Sequence, residues 1–262
     1  MPNTLYRYRS FIWQHALADL RHRYAGTGMG VIWNVVHPLS LIAVYSVIFG
    51  LIYGNMAIEG LPAHGGFAIY LCAGFFPWMA FSDSINRGAT AFSGNAAYLK
   101  KLPVPEQVFV AQSVASASLT LVISFCLLTV ISLALGLRPS IYWLLLPIPI
   151  ILLQCIGFGI GLIVGTLNVF FTDIGQIVMI ALNVLFWLTP IVYLPRQVPK
   201  ALNPVLMANP ATPAVEAIHN LFLWHRLPDL WTIPALAGWA VVTILCGYFL
   251  LNGLRGEIRD VL

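Results

Sequence analysis

The side chains in this chain that could do chemistry are few, and their spacing excludes most reactions. The lysines are Lys100, Lys101 and Lys200, and none follows a glycine. A G-x-x-x-x-G-K-[ST] loop, which needs its lysine on the nucleotide phosphates, is therefore absent. So are H-E-x-x-H and G-x-S-x-G. Cys72, Cys126, Cys155 and Cys246 each sit inside an apolar run, outside any CxxC, and read as buried structural thiols. Asp83 lies near the end of the second apolar run, and Asp173 lies in the turn between the fourth and fifth. Ion-coupled carriers place acids or broken-helix sites at mid-membrane. Their near absence leaves a channel, an assembly factor, or a permease driven by another subunit.

Aromatic rings are the other chemical resource. The second apolar run reads GFFPWMAFSDSI, with Phe75, Phe76, Trp78 and Phe81, and the fifth adds Phe186, Trp187 and Tyr193. Such rings are either belt anchors at membrane ends or a lining for a sugar-bearing substrate.

The elements that position these residues follow from composition. The 262-residue chain is 60% hydrophobic and 8% charged, against about 25% charged for a soluble domain. Mean hydropathy is +0.87. A soluble enzyme, a disordered chain and a nucleic-acid module are excluded, and the net charge of +4 marks topology, not DNA binding.

A spanning helix needs about 20 apolar residues. Six stretches qualify: 31–53, 66–86, 108–136, 142–167, 175–194 and 232–252. Pro147 and Pro149 predict a kink or broken start in the fourth. The expected fold is a single all-α membrane domain with no internal repeat and no cleavable leader. Six spans put both termini on one side. Nine basic residues lie on that side (Arg7, Arg9, Arg21, Arg23, Arg87, Lys100, Lys101, Arg255 and Arg259) against four opposite (Arg138, Arg196, Lys200 and Arg226). Both termini are thus expected in the cytoplasm.

Three pieces lie outside the spans. In 5–24, Leu5, Tyr8, Ile12, Ala16, Leu20 and Tyr24 form an apolar stripe widened by Trp13 and Leu17. That pattern predicts an amphipathic helix in the membrane interface, either an anchor or a gate. The cytoplasmic loop 87–107 is long enough for a short helix before Pro103 and Pro105, and is either a docking element or a solvated connector. The external stretch 195–229 predicts a re-entrant or interfacial helix starting at Thr212 as N-cap with Pro213 at the first position. Gly157, Gly159, Gly161 and Gly165 predict close helix packing, within the bundle sooner than between copies.

The ordered set of motifs resembles the type-2 ABC exporter permeases for polysaccharides of the O-antigen, capsule or teichoic-acid kind. It includes Arg23, Tyr24, Gly26, Gly28, Gly30, Trp33 and Pro38 at the opening, and GFFPWMAFSDSI in the second run. N-x-x-Y-L-K-K-L-P-V-P, FFTDIGQIV, FWLTPIVY and ANPATPAVEAIHNLFL follow in order over nearly the whole chain. Thr172-Asp173 stands where that family more often has Arg-Asp. The resemblance implies a homodimeric pore in the bacterial inner membrane. It implies two copies of a cytoplasmic P-loop ATPase, which would carry the ATP and Mg, with no cofactor on this chain. Asn95, Tyr98, Leu99, Lys100, Lys101 and Leu102 would form the helix that couples to the ATPase. Arg21, Arg23, Tyr24 and Arg87 would flank a gate and meet the phosphate of a glycan on a polyprenyl (pyro)phosphate lipid. Trp33, Phe75, Phe76, Trp78, Phe81, Phe186, Trp187 and Tyr193 would guide sugars. A drug or small-lipid exporter of the same superfamily and a passive channel are the rival readings.

Overall fold

A computed structural model describes residues 2–23, 25–53, 61–62, 65–101, 103–194, 199 and 203–261. Among these residues every regular element is a helix. In order they are α1 (Pro2–Arg7), α2 (Arg9–His22), α3 (Trp33–Tyr53), α4 (Gly66–Ala89), α5 (Ala96–Lys101) and α6 (Gln107–Ala134). Then come α7 (Pro147–Phe170), α8 (Ile174–Leu188), α9 (Asn203–Ala208), α10 (Ala211–Phe222) and α11 (Thr232–Val261).

Five helices are long and apolar enough to cross a membrane: Gly30–Phe49, Gly66–Ala89, Gln107–Ala134, Ile141–Phe170 and Thr232–Ile258. Their burial sorts them into two layers. In α4 and α7 most of the apolar window is buried within the protein, 78% and 61%, whereas in α3 and α11 it is 17% and 22%. The bundle therefore has two inner helices, and the others turn apolar faces outward, as lipid-facing helices do. This revises the expectation for the cysteines. Cys72 is buried on α4, but Cys126 on α6 and Cys246 on α11 are exposed on the outer layer. An apolar run hides a thiol inside the protein only where neighbouring helices cover it.

Three predicted boundaries shift. The fifth apolar stretch, expected over 175–194, forms a helix of only 15 residues, Ile174–Leu188. It ends because Thr189 precedes Pro190 and takes an extended backbone, φ −93 and ψ 134, the conformation proline imposes on its predecessor. The last helix runs nine residues past the expected 252, to Val261. The N-terminal helix is divided at Tyr8. Its Tyr24 end lies outside the described residues, as do 195–198 and 200–202 of the external stretch. The predicted broken start of the fourth span is present: a 3₁₀ turn over Ile141–Leu145 precedes Pro147, the first residue of α7.

The α10 helix also begins earlier than expected. It starts at Ala211, and the side chain of Asn209, not Thr212, accepts the Ala211 N–H at 2.9 Å. Asn209 has the right acceptor two residues ahead of an orphan donor, whereas Thr212 is already inside the first turn. This helix is buried on nearly every side, with Ala214, Val215, Ala217, Ile218 and Phe222 at 0% exposure. Two polar contacts fasten it: the His219 Nε2–H donates to the Tyr70 carbonyl at 3.0 Å, and the Trp143 indole donates to the Phe222 carbonyl at 3.0 Å. Tyr70 in turn places its hydroxyl 2.9 Å from the Tyr193 carbonyl, holding the segment after α8 against α4.

The glycine series on α7 packs within the bundle, as expected. A Cβ on Gly159 would lie 2.5 Å from the Thr243 carbonyl carbon of α11, and one on Gly165 would lie 2.5 Å from the Gly88 carbonyl oxygen of α4. The two inner helices and α11 meet backbone to backbone there.

Candidate functional site

The N-terminal helices, the segment 90–108 and the end of α11 meet at one end of the bundle. Leu5, Tyr8, Phe11 and Ile12 pack on a cluster containing Phe92, Leu99, Val108, Phe109, Leu251 and Ile258. Of the predicted stripe, Ala16 is fully buried, Leu20 is buried, and Leu5, Tyr8 and Ile12 are half-buried, and α2 packs on α6 and this cluster. Trp13 instead points outward, 53% exposed.

An ionic cluster ties α2 to the bundle. The Arg87 guanidinium of α4 donates to the Asp19 carboxylate of α2 at 2.8 Å, and Ser116 of α6 donates to the same oxygen. Arg23 stands 3.6 Å from Asp19 and 3.5 Å from Asp83. Burial alone would raise the Asp19 pKa. The hydrogen bonds from Arg87 and Ser116 and the charges of Arg87 and Arg23 outweigh it and hold the carboxyl below its usual 3.8. The sign follows: the charged form is favoured in the folded state, so the stabilisation is present above 3.8 and is lost as pH falls through the lowered value. The melting-temperature difference between wild type and Asp19→Asn is expected to stay constant between about pH 8 and about pH 5, and to shrink only in stronger acid. A difference that changes across neutral pH in detergent melts would contradict the assignment.

Arg87 was expected beside a phosphate, and the structure pairs it with Asp19. Arg21 is exposed on the outer side of α2. Asp19 and Ser116 did not stand out in the sequence, and Asp83 did so only as an acid near the end of an apolar run, yet a signal for the cluster existed. Asp19–Arg23 and Asp83–Arg87 are both acid-to-base pairs at i,i+4, the spacing that places them on one helix face.

The segment after α4 forms the predicted short helix. A 3₁₀ turn over Ser93–Asn95 leads into α5. Asn95 turns its side-chain amide inward to the Ala91 carbonyl at 2.8 Å. Leu99 is buried at 2% exposure, while Tyr98, Lys100 and Lys101 face outward. Leu102 lies outside the described residues. The helix is thus anchored by one leucine and presents one ring and two ammonium groups. Behind it, Glu106 is completely buried, with its carboxylate 2.9 Å from Arg255 Nε of α11. Arg255 also donates to Gln107 Oε1 at 2.9 Å. In the sequence Arg255 read only as a topology mark, because nothing local links it to a residue 149 positions away. Arg255→Ala is expected to lower stability by about 2 kcal/mol, since it removes an ion pair to a buried carboxylate while the arginine itself is partly solvated. An unchanged detergent melt would show that Glu106 is held otherwise.

The aromatic residues divide. Phe75, Trp78 and Phe186 line a groove of about 290 Å³ between α4 and α8, with Ser82, Asn86 and Asn183 among its walls. Phe186 lies 6.0 Å, centroid to centroid, from each of the other two rings. Flat rings beside amide and hydroxyl groups suit a sugar face. Trp78 and Phe76 are both buried, at 5% and 3% exposure, and Phe81 is fully buried, so of the groove rings Phe75 and Phe186 are the partly open ones. Trp33 is half-buried, Trp187 is 64% exposed, and the Tyr193 hydroxyl donates to the Trp187 carbonyl at 3.2 Å. The three groove amides and hydroxyls were missed in the sequence because only the packing of α8 on α4 brings them to the rings.

The ABC-2 type transporter family model matches residues 12–223, most of the chain, including α5 and the two helices that line the aromatic groove, α4 and α8. The chain belongs to the ABC-2 type transporter family. Its relatives align with it over most of their length: the O-antigen export system permease protein RfbA of Myxococcus xanthus is 28% identical over 99% of this chain and 98% of the relative. A protein of the same name from Klebsiella pneumoniae is 29% identical over 93% and 92%. The polysialic acid transport protein KpsM of Escherichia coli is 23% identical over 88% of each. As an ABC-2 family member, this chain is a membrane subunit of a transporter.

Proposed function

We propose that the chain is the permease subunit of an ATP-driven exporter of a lipid-linked polysaccharide of the O-antigen type. Similarity to O-antigen export permeases over more than nine-tenths of each chain carries this reading. A capsule-type glycan is the second reading, favoured by the similarity to the polysialic acid transport protein over 88% of each chain.

In this reading two copies form the pore in the inner membrane, and each binds one cytoplasmic P-loop ATPase through Tyr98, Lys100 and Lys101 of α5. ATP and Mg belong to that partner. Both termini are cytoplasmic. Six crossings are supported by parity: Leu5 and Ile258 belong to one cluster at one end of the bundle, and five crossings cannot return a chain to its starting side. The sixth falls to α8 and the segment after it. At about 22 Å, α8 alone is shorter than the roughly 30 Å hydrocarbon core, and the buried α10 helix fills out the external half.

The mechanism follows from the anchoring. A shift of the ATPase moves α5, and Leu99 transmits it into the cluster that also holds α2, α6 and α11. The Glu106–Arg255 pair makes the end of α11 follow. Packed helices move as rigid bodies rather than deforming, so the α4–α8 groove changes width with the ATPase. The polyprenyl (pyro)phosphate of the cargo would enter beside α2, where Arg21 remains free of the ionic cluster, and the sugars would pass along Phe75, Trp78 and Phe186.

The test is a mild-detergent pull-down of the tagged protein from its native membrane with stoichiometry. A P-loop ATPase at one to one, in an assembly of two plus two, is expected. A homo-oligomer without ATPase, under conditions that keep a known ABC complex intact, would replace this reading with a channel or scaffold.

A further inference from the structure

We propose that the crevice between α3, α4 and α6 binds a phospholipid whose headgroup carries both a phosphate and a primary ammonium. The occupant is a resident membrane lipid and not the cargo, so the proposal goes beyond the export reading and requires only that the bundle lie in a bilayer. The crevice has a volume of about 280 Å³ and is separate from the aromatic groove in all but its shared α4 wall. Its residues are graded along the helices. Arg23, Asp83 and Asn86 stand at one end, and Leu41, Phe76 and Leu121 stand deeper. Asp83 and Phe76 are seven residues apart, about 10 Å along α4. One end is therefore charged and the other apolar, the polarity of a lipid at a membrane surface. The space holds a headgroup and the start of one chain. The rest would lie along the outer faces of the same helices, where Val44 and Val122 are exposed.

The charges decide which headgroup. Arg87 is committed to Asp19 at 2.8 Å, the length of a full charge-assisted bond. Arg23 is not so committed: its two carboxylate contacts are 3.5 and 3.6 Å, and among the described residues Asp83 has no cation nearer than 3.5 Å. Both therefore retain room for a further partner. The cluster holds two cations and two anions, so a bare phosphate entering it meets Asp83 as well as Arg23 and gains little. A phosphate on Arg23 with an ammonium on Asp83 satisfies both. A quaternary ammonium has no N–H to donate to the Asp83 carboxylate.

Native mass spectrometry of the intact protein tests this, after exchange into nanodiscs with equal parts phosphatidylethanolamine, phosphatidylglycerol and phosphatidylcholine. Phosphatidylethanolamine is expected to be retained at one per chain, with a preference of about fivefold over each of the others, the scale of one partly exposed ion pair. Asp83→Asn, which keeps the shape and removes the charge, should abolish the preference. Thr120→Phe, which fills the crevice from α6, should abolish retention. Retention of the three lipids in proportion to their supply would show only annular lipid and overturn the proposal. So would a preference that survives both substitutions, or stronger retention of phosphatidylglycerol. The wild-type competition decides the matter even if a variant fails to fold.

Discussion

Gly159→Val is expected to abolish recovery of the folded protein. A Cβ at this position of α7 would lie 2.5 Å from the Thr243 carbonyl carbon and 2.6 Å from the Ile244 nitrogen, both backbone atoms of α11. The contact is reciprocal, since a Cβ on Gly247 would meet the Gly159 carbonyl oxygen at 2.8 Å. No rotamer change relieves a clash between two helix backbones. The helices must separate, and with them the face that α7 shares with α4. Overpacking in a core costs about 1–3 kcal/mol when side chains can yield, and more is expected here because they cannot. In detergent the valine variant should aggregate or lose its cooperative melt. Gly253→Ala on the same α11 helix meets nothing within 4 Å and should behave as wild type. A valine variant that elutes and melts like wild type would show that the two helices can part without loss of the fold.

The triple variant Tyr98→Ala, Lys100→Glu, Lys101→Glu is expected to insert and fold normally and to export nothing. All three side chains point away from the protein, so stability should move by no more than about 0.5 kcal/mol. Reversing two charges at a docking surface sets like charges opposite each other, at a cost of several kcal/mol. Copurifying ATPase should therefore fall by about a hundredfold or more. Leu99→Asp is the contrasting case. That side chain is 2% exposed, and a carboxylate there is buried without a partner, so the variant should lose stability as well as export. Normal export by the triple variant would remove α5 from the coupling role.

Much of this was legible in the residues because the membrane simplifies the reading. A bilayer demands long uncharged helices, so α4, α6, α7 and α11 stood out by composition, as did the stripe Leu5, Tyr8, Ile12, Ala16 and Leu20. The short helix before Pro103 was legible too, since proline limits where a helix can end. The length of α8 was misjudged because an apolar run continues through Thr189-Pro190 while the helix does not. Hydropathy records what a segment can face, and proline decides what its backbone can do.

The sequence by itself determined the class of protein: an all-helical membrane chain with no nucleotide loop and an amphipathic helix before its first span. Those features are local, since composition, spacing and breakers act within a few turns. Tertiary structure decided which apolar helices are inner and which face outward, because every face of a spanning helix is apolar and only packing distinguishes them. It also decided the pairings Asp19 with Arg87 and Glu106 with Arg255, 68 and 149 residues apart. And it separated Phe75, Trp78 and Phe186, which border one groove, from Phe76, which lines the crevice on the other side of α4, and from Phe81, which fills the core. A ring's role depends on the direction its helix turns it, and that direction is set by the neighbours it packs against.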